Sequence, residues 1–390
     1  MRTHISIGFL VAASLVPAVG LADTVKFCFS TAGTYNDNGF TNPNGSTEDR
    51  WGTDVAKPSR AAWGNVYKSN SLIWADYLDD GNGADGAGCT PTLTVTGVND
   101  DYDFYVNSYG SASNDIDVRD TSLNLYQAIL TNYVVSGGSG TYNVTITVTS
   151  NTTAYRVFNI YNAAGMAIAT RTSLSGQTFF FQADYGGAGG SHYTDPTVFI
   201  TSTHGMFKYV ILHEMGHRVG DLNTQGSLVG SDYTASEGDC PSSDTVHSML
   251  SREYSKAACN EGYAHFYSAN IWNFISDTDC HFEYYKPING DNSPSIDCES
   301  GHTGFEVDFY DTNCTVVAGR SVEMDWLREY WDVQTNATPP SFSEVNDWLD
   351  DATPWTDTTA YTELDSKANT EGGNLNTNWD NTKAANGVDH

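Results

Sequence analysis

Two histidines and a glutamate stand together in "ILHEMGHRVGDLN", residues 211–223. His213 and His217 are four positions apart, so on a helix they share one face, a turn apart. Both imidazoles can then reach one zinc ion at about 2.0–2.1 Å. Glu214, next to the first histidine, is placed to take a proton from a water that the metal has acidified. The run around them is apolar: Met206, Phe207, Val210, Ile211 and Leu212. Two imidazoles and a carboxylate buried in such a helix need a partner, and a cation supplies it. Gly216 costs about 1 kcal/mol inside a helix relative to alanine, which points to close approach of another backbone. Gly220 suits a helix C-cap.

A hydrolytic zinc site takes a third protein ligand. Six residues after His217 stands Asn223, and a neutral amide is a poor ligand beside imidazole and carboxylate. Asp221 is two residues early. Later candidates are His247, Glu261 and His265, the last two being four apart on one helical face. A carboxylate at 261 inside an apolar helix would itself need a cation. His265 could ligate, or donate to a carboxylate beside the site.

"HEMGH" followed by Asn260-Glu261-Gly262-Tyr263-Ala264 resembles the gluzincin branch of zincin metallopeptidases. The resemblance covers about 150–335. It implies zinc held by His213, His217 and Glu261, Glu214 as general base, and a peptide or protein substrate. Gluzincins often carry an aspartate where this chain has His265. They usually supply an oxyanion donor from later in the chain, and Tyr254, Tyr263, His302 and Tyr330 are candidates for it. A metzincin-type peptidase is a further reading, since Gly220 is in place and "HSMLS" around Met249 resembles a Met-turn. Asn223 then occupies the ligand position. A reading from another class is a surface-binding or structural protein with a non-catalytic metal site.

The elements that must position these residues follow from periodicity. Residues 205–220 predict a buried helix, 252–275 a second and 320–334 a third, with Asp325 and Arg328 buried as a pair. Small Gly262 and Ala264 favour close packing on the first helix. A short helix fits 341–350, and the last 25 residues, rich in Asn, Thr and Gly, read as loosely held. "QTFFFQAD" and "DPTVFITS" predict strands, the latter as the cleft edge that would pair an extended peptide. Residues 152–171 fit a helix and a strand-turn equally. Residues 23–150 are β-rich, with Gly/Asn/Asp/Ser clusters between alternating runs. The acidic cluster at 79–88 has calcium-like spacing but lacks the glycine and glutamate of an EF-hand loop, and reads as a turn.

The fold expected is therefore α+β: a β-rich region over 23–150, a zincin-like domain of mixed sheet plus active-site helices over 151–335, and a C-terminal extension over 336–390. Residues 1–22 have the form of a signal peptide, with Arg2, an apolar core and a small-residue cleavage site ending at Ala22. That predicts a secreted or extracytoplasmic protein with no membrane span. The net charge of −30 leaves no basic stripe for nucleic acid. Seven cysteines in an exported chain favour disulfides, Cys28 with Cys89 first, and the odd number leaves a thiol over.

Overall fold

The computed structural model describes residues 4–8, 23–31, 57–58, 62–78, 89–94, 100–110, 116–135, 141–148, 152–224 apart from 172–173, 175 and 189, 254–273, 280–282, 296–298, 322–352 apart from 337, 356, and 359–389. Residues 79–88, Cys240, His247, Met249, His302 and Cys314, for which the sequence raised expectations, lie outside these residues. The architecture is mixed α+β.

Among the described residues the strands are β1 (His4–Gly8), β2 (Thr24–Thr31), β3 (Lys57–Pro58), β4 (Trp63–Lys68), β5 (Ser71–Tyr77), β6 (Leu93–Thr94), β7 (Asp100–Asn107), β8 (Ile116–Arg119), β9 (Leu125–Val135) and β10 (Thr141–Val148). Helix α1 (Thr153–Thr170) comes next, then β11 (Phe179–Tyr185), β12 (His192–Thr194) and β13 (Thr197–Thr201). The remainder is helical, α2 (Lys208–Asn223), α3 (Ser255–Trp272), α4 (Glu323–Thr335), α5 (Phe342–Asp351), α6 (Ala360–Glu371) and α7 (Gly373–Thr382), with a small pair β14 (His281–Phe282) and β15 (Ile296–Asp297). Two compact units divide within α2, between Ile211 and Leu212. The first contains β1 to β13 and α1; the second contains the rest.

In the first unit the larger sheet runs β12-β13-β11-β8-β9-β7-β4-β5, with β1 parallel to β9. It takes strands from both sides of residue 150, because β8 pairs parallel with β11. A smaller sheet, β10-β2-β3 with β6 on β2, contributes Val25, Phe27 and Phe29, all fully buried. Alternation puts Tyr102, Phe104 and Val106 of β7 on one face, and Phe27 meets Phe104 with ring centroids 5.4 Å apart. Cys28–Cys89 closes as expected. β13 is not the edge strand expected of "DPTVFITS": it pairs with β11 on one side and β12 on the other.

The ambiguous stretch 152–171 is the helix α1, capped by Thr152, whose hydroxyl accepts from the Tyr155 amide. Its apolar residues point all round: Tyr155, Val157, Phe158, Ile160, Tyr161, Ala163, Ala164 and Ala167 are buried. Among these apolar residues the buried Asn159 donates to the Gly205 carbonyl at 2.7 Å.

In the second unit α3 is buried along its whole length. Gly220 is not a C-cap, because α2 continues to Asn223 and Thr224 N–H bonds to the Gly220 carbonyl. The last residues are not loose. Trp379 of α7 is fully buried, meets Trp348 edge to face with ring centroids 5.0 Å apart, and donates its indole N–H to Asp365 at 2.8 Å. A capping box at Ser341 and Glu344 starts α5 where the sequence placed it. Asp325 and Arg328 are both buried. A second disulfide joins Cys280 to Cys298, and the buried Cys259 is a free thiol.

Candidate metal centre

Helices α2 and α3 bring the site together because small residues let them approach. A Cβ on Gly216 would lie 2.9 Å from the Ala264 Cα, so only glycine fits there. Gly262 does not face α2, as its position beside Ala264 suggested. It meets α4, where an added Cβ would overlap the Trp326 Cβ and lie 2.8 Å from the Glu323 carbonyl. One glycine therefore sets the α2–α3 spacing and the other the α3–α4 spacing.

Across the α2–α3 contact, Glu261 Oε2 lies 3.1 Å from His213 Nε2 and 3.2 Å from His217 Nε2. The two Nε2 atoms are 3.1 Å apart. Exposure of His213 and Glu261 is 2% and 3%. Three atoms in a near-equilateral triangle cannot all be joined by hydrogen bonds, since each N–H points along one edge and the carboxylate oxygen only accepts. A central cation satisfies all three at once. The edges are also near the roughly 3.3 Å separation of ligands at a tetrahedral zinc with bonds of about 2.0–2.1 Å. The residues present therefore fit a metal ion.

His217 Nδ1 donates to Asn260 Oδ1 at 3.3 Å. That fixes the tautomer whose Nε2 lone pair faces the triangle. Glu214 belongs to the same cluster: its carboxylate and the two histidine nitrogens lie within 4.8 Å of one another. Two trios thus share the histidines. The Glu261 triangle is the tighter one, and Glu214 stands beside it.

The electrostatics of the metal-free protein are lopsided. Burial, with His265 and His217 close by, lowers the pKa of His213 to about 3, and Glu261 opposes this only in part. Burial also works against charge on His217, but the Glu261 carboxylate outweighs it and raises that pKa to about 9. One proton therefore rests on His217 while His213 stays neutral.

His265 faces a carboxylate that the sequence did not identify. Its Nε2 is 3.0 Å from Glu323 Oε2, and both residues are buried. Its ring lies against that of His213, centroids 4.3 Å apart. Asn223 is turned to Tyr263, its amide donating to the hydroxyl at 3.4 Å. Tyr263 in turn donates to Asn346 at 2.8 Å, and the Tyr330 hydroxyl is 3.0 Å from the Cys259 sulfur. Both hydroxyls are thus engaged away from the histidines. Tyr254 is the N-cap residue of α3.

Sequence reasoning missed Glu323 and the role of Asn260. Asn260 was visible beside Glu261. Nothing local ties Glu323 to His265, 58 positions earlier. The chain matches no protein-family model and no curated protein sequence.

Proposed function

We propose that this chain is an exported zinc-dependent peptidase. The observation that carries the reading is the triangle of His213, His217 and Glu261, with Glu214 at its side. His213, His217 and Glu261 would hold the ion. When bound, zinc supplies Lewis acidity, acidifying water and polarising a carbonyl. Glu214 takes the proton from the attacking water and passes it to the leaving amine. Asn260 orients His217 from behind. The order of "HEMGH" and "NEGYA" supports a peptide bond as the substrate and a zincin-like arrangement of the helices. The Cys28–Cys89 and Cys280–Cys298 disulfides, together with the leader-like first 22 residues, support export. Among the described residues no helix is long and apolar enough to cross a membrane.

The nearness of Glu214 to both histidine nitrogens favours one second reading, in which it is a fourth ligand of a closed, non-catalytic site. One variant separates the two. Glu214→Gln should keep about one zinc per chain, measured by elemental analysis, and lose hydrolysis of a protein substrate by about 10²–10⁴-fold. Loss of zinc along with Glu214 would favour the structural site. Hydrolysis that survives the substitution would sink the mechanism.

A further inference from the structure

Away from the metal centre, α4 carries a second buried carboxylate. Glu329 is fully buried, and it touches the C-terminal end of the described chain. Thr382 Oγ1 is 2.8 Å from Glu329 Oε1 and also 2.8 Å from the Asn378 carbonyl. Asn386 Nδ2 is 3.0 Å from Glu329 Oε2 and 2.9 Å from Asp332 Oδ2.

Counting hydrogens decides the state of this cluster. The two amide hydrogens of Asn386 serve one carboxylate each. Thr382 has one hydroxyl hydrogen and two oxygens at 2.8 Å. The Asn378 carbonyl, four residues back in the same helix, is the usual acceptor for a helical threonine hydroxyl. The contact between Glu329 and Thr382 then needs a hydrogen of its own, and only Glu329 can provide it. A protonated carboxyl donates one O–H and still accepts with its other oxygen. Every short contact in the cluster then contains a hydrogen, and Glu329 itself adds no buried charge.

We propose that Glu329 is held as a neutral carboxylic acid and acts as a proton-dependent latch fastening the C-terminal turn, through Thr382 and Asn386, to α4. The charged groups around it pull in opposite directions, Asp332 against a second negative charge and Lys383 toward one. Asp332, on the same helix, shares Asn386 and disfavours a second negative charge. Lys383, on the C-terminal side, is committed to Asp365 and Asp380, each at 2.7 Å. Tyr330 turns its hydroxyl to Cys259 of α3, and Glu261 and His265 of α3 are engaged with the metal-site histidines and Glu323. Burial supports the assignment by raising the carboxyl pKa to about 8.

The sign follows from linkage. Native Glu329 keeps a proton that the unfolded chain loses above its ordinary value of 4.5. The folded-to-unfolded ratio should fall about tenfold per pH unit from there to about pH 8, and this contribution is constant beyond it. The test compares wild type with Glu329→Gln by denaturant unfolding from about pH 5 to 9. Glutamine matches the acid in shape and can donate to Thr382. The variant should equal wild type at pH 5 and lack the tenfold-per-unit loss. Parallel pH curves, or a variant destabilised already at pH 5, would overturn the latch. Should the variant fail to fold, wild-type tryptophan fluorescence carries the test, since Trp379 sits in α7. A transition near pH 8 supports the latch. Its absence, or a midpoint that moves with added calcium chloride, overturns it.

Discussion

Replacing Gly216 by alanine tests whether helix spacing assembles the metal centre. The new Cβ would lie 2.9 Å from the Ala264 Cα, and 3.1 Å from both the Ala264 carbonyl oxygen and the Tyr267 Cβ. Two of these atoms are backbone, so no rotamer change relieves the contact. Carbon–carbon contacts relax to about 3.5–4.0 Å, so α2 and α3 must part by roughly 0.6–1.1 Å. Overpacking of this kind costs about 1–3 kcal/mol, and alanine returns about 1 kcal/mol of helix propensity. The net change in stability is a loss of up to about 2 kcal/mol. The effect on the site is larger in kind. Glu261 sits one turn before Ala264, and its Oε2 is now 3.1 and 3.2 Å from the two histidine nitrogens. Parting the helices stretches both edges toward roughly 4 Å, beyond the roughly 3.3 Å that one zinc ion spans between ligands. Zinc affinity should fall by about 10–100-fold, the range seen when groups supporting a metal ligand are disturbed. Competition against a chromophoric chelator measures this, with unfolding curves of the metal-free protein alongside. Wild-type affinity in a variant that is also more stable by about 1 kcal/mol would refute the reasoning, because alanine would then act only through helix propensity.

Two further predictions concern stability. In metal-free protein carrying Glu329→Gln, stability should peak near pH 6.5. The His213 contribution is present above its unfolded value of 6.5 and is lost as pH falls toward about 3, while that of His217 is present below 6.5 and is lost as pH rises through about 9. Denaturant unfolding across that range in the presence of chelator reads the peak, and a flat profile would remove the proton from His217. Trp379→Ala should cost about 3–5 kcal/mol, as for other buried aromatics. A change within about 0.5 kcal/mol, typical of surface positions, would mean that the C-terminal segment contributes little.

What the sequence disclosed depended on the range of the interaction concerned. The i, i+4 pair His213 and His217 is local, so its geometry could be read from spacing alone. Gly216 announced a close neighbour because glycine is costly in a helix, yet nothing named Ala264 as that neighbour. The α1 segment could not be separated from a strand because its apolar residues point all round, which removes the 3.6-residue signal. Asn159 and Asn162 interrupt the apolar pattern of that segment, yet a buried amide is tolerated when a carbonyl such as that of Gly205 accepts from it, as for Asn159. The C-terminal Asn/Thr/Gly bias hid α6 and α7, since a few large residues, Trp348 and Trp379 above all, carry the packing there. Glu323 was illegible for the same reason as Ala264: its meaning arises only where α4 crosses α3.

The pairing of β8 with β11 bears on how the chain could be processed. A segment that is shed to activate an enzyme must leave behind a fragment that stays folded. Cutting near residue 150 and discarding what precedes it would remove β1, β8, β9, β7, β4 and β5 from the larger sheet, leaving only β12, β13 and β11. The backbone of β11 along residues 179–182 would then be a bare edge, open to pairing with any other strand. Residues 62–135 are thus structural members of the same sheet as the strands that precede α2. A removable inhibitor of this protein would have to come from elsewhere in the chain or from another molecule.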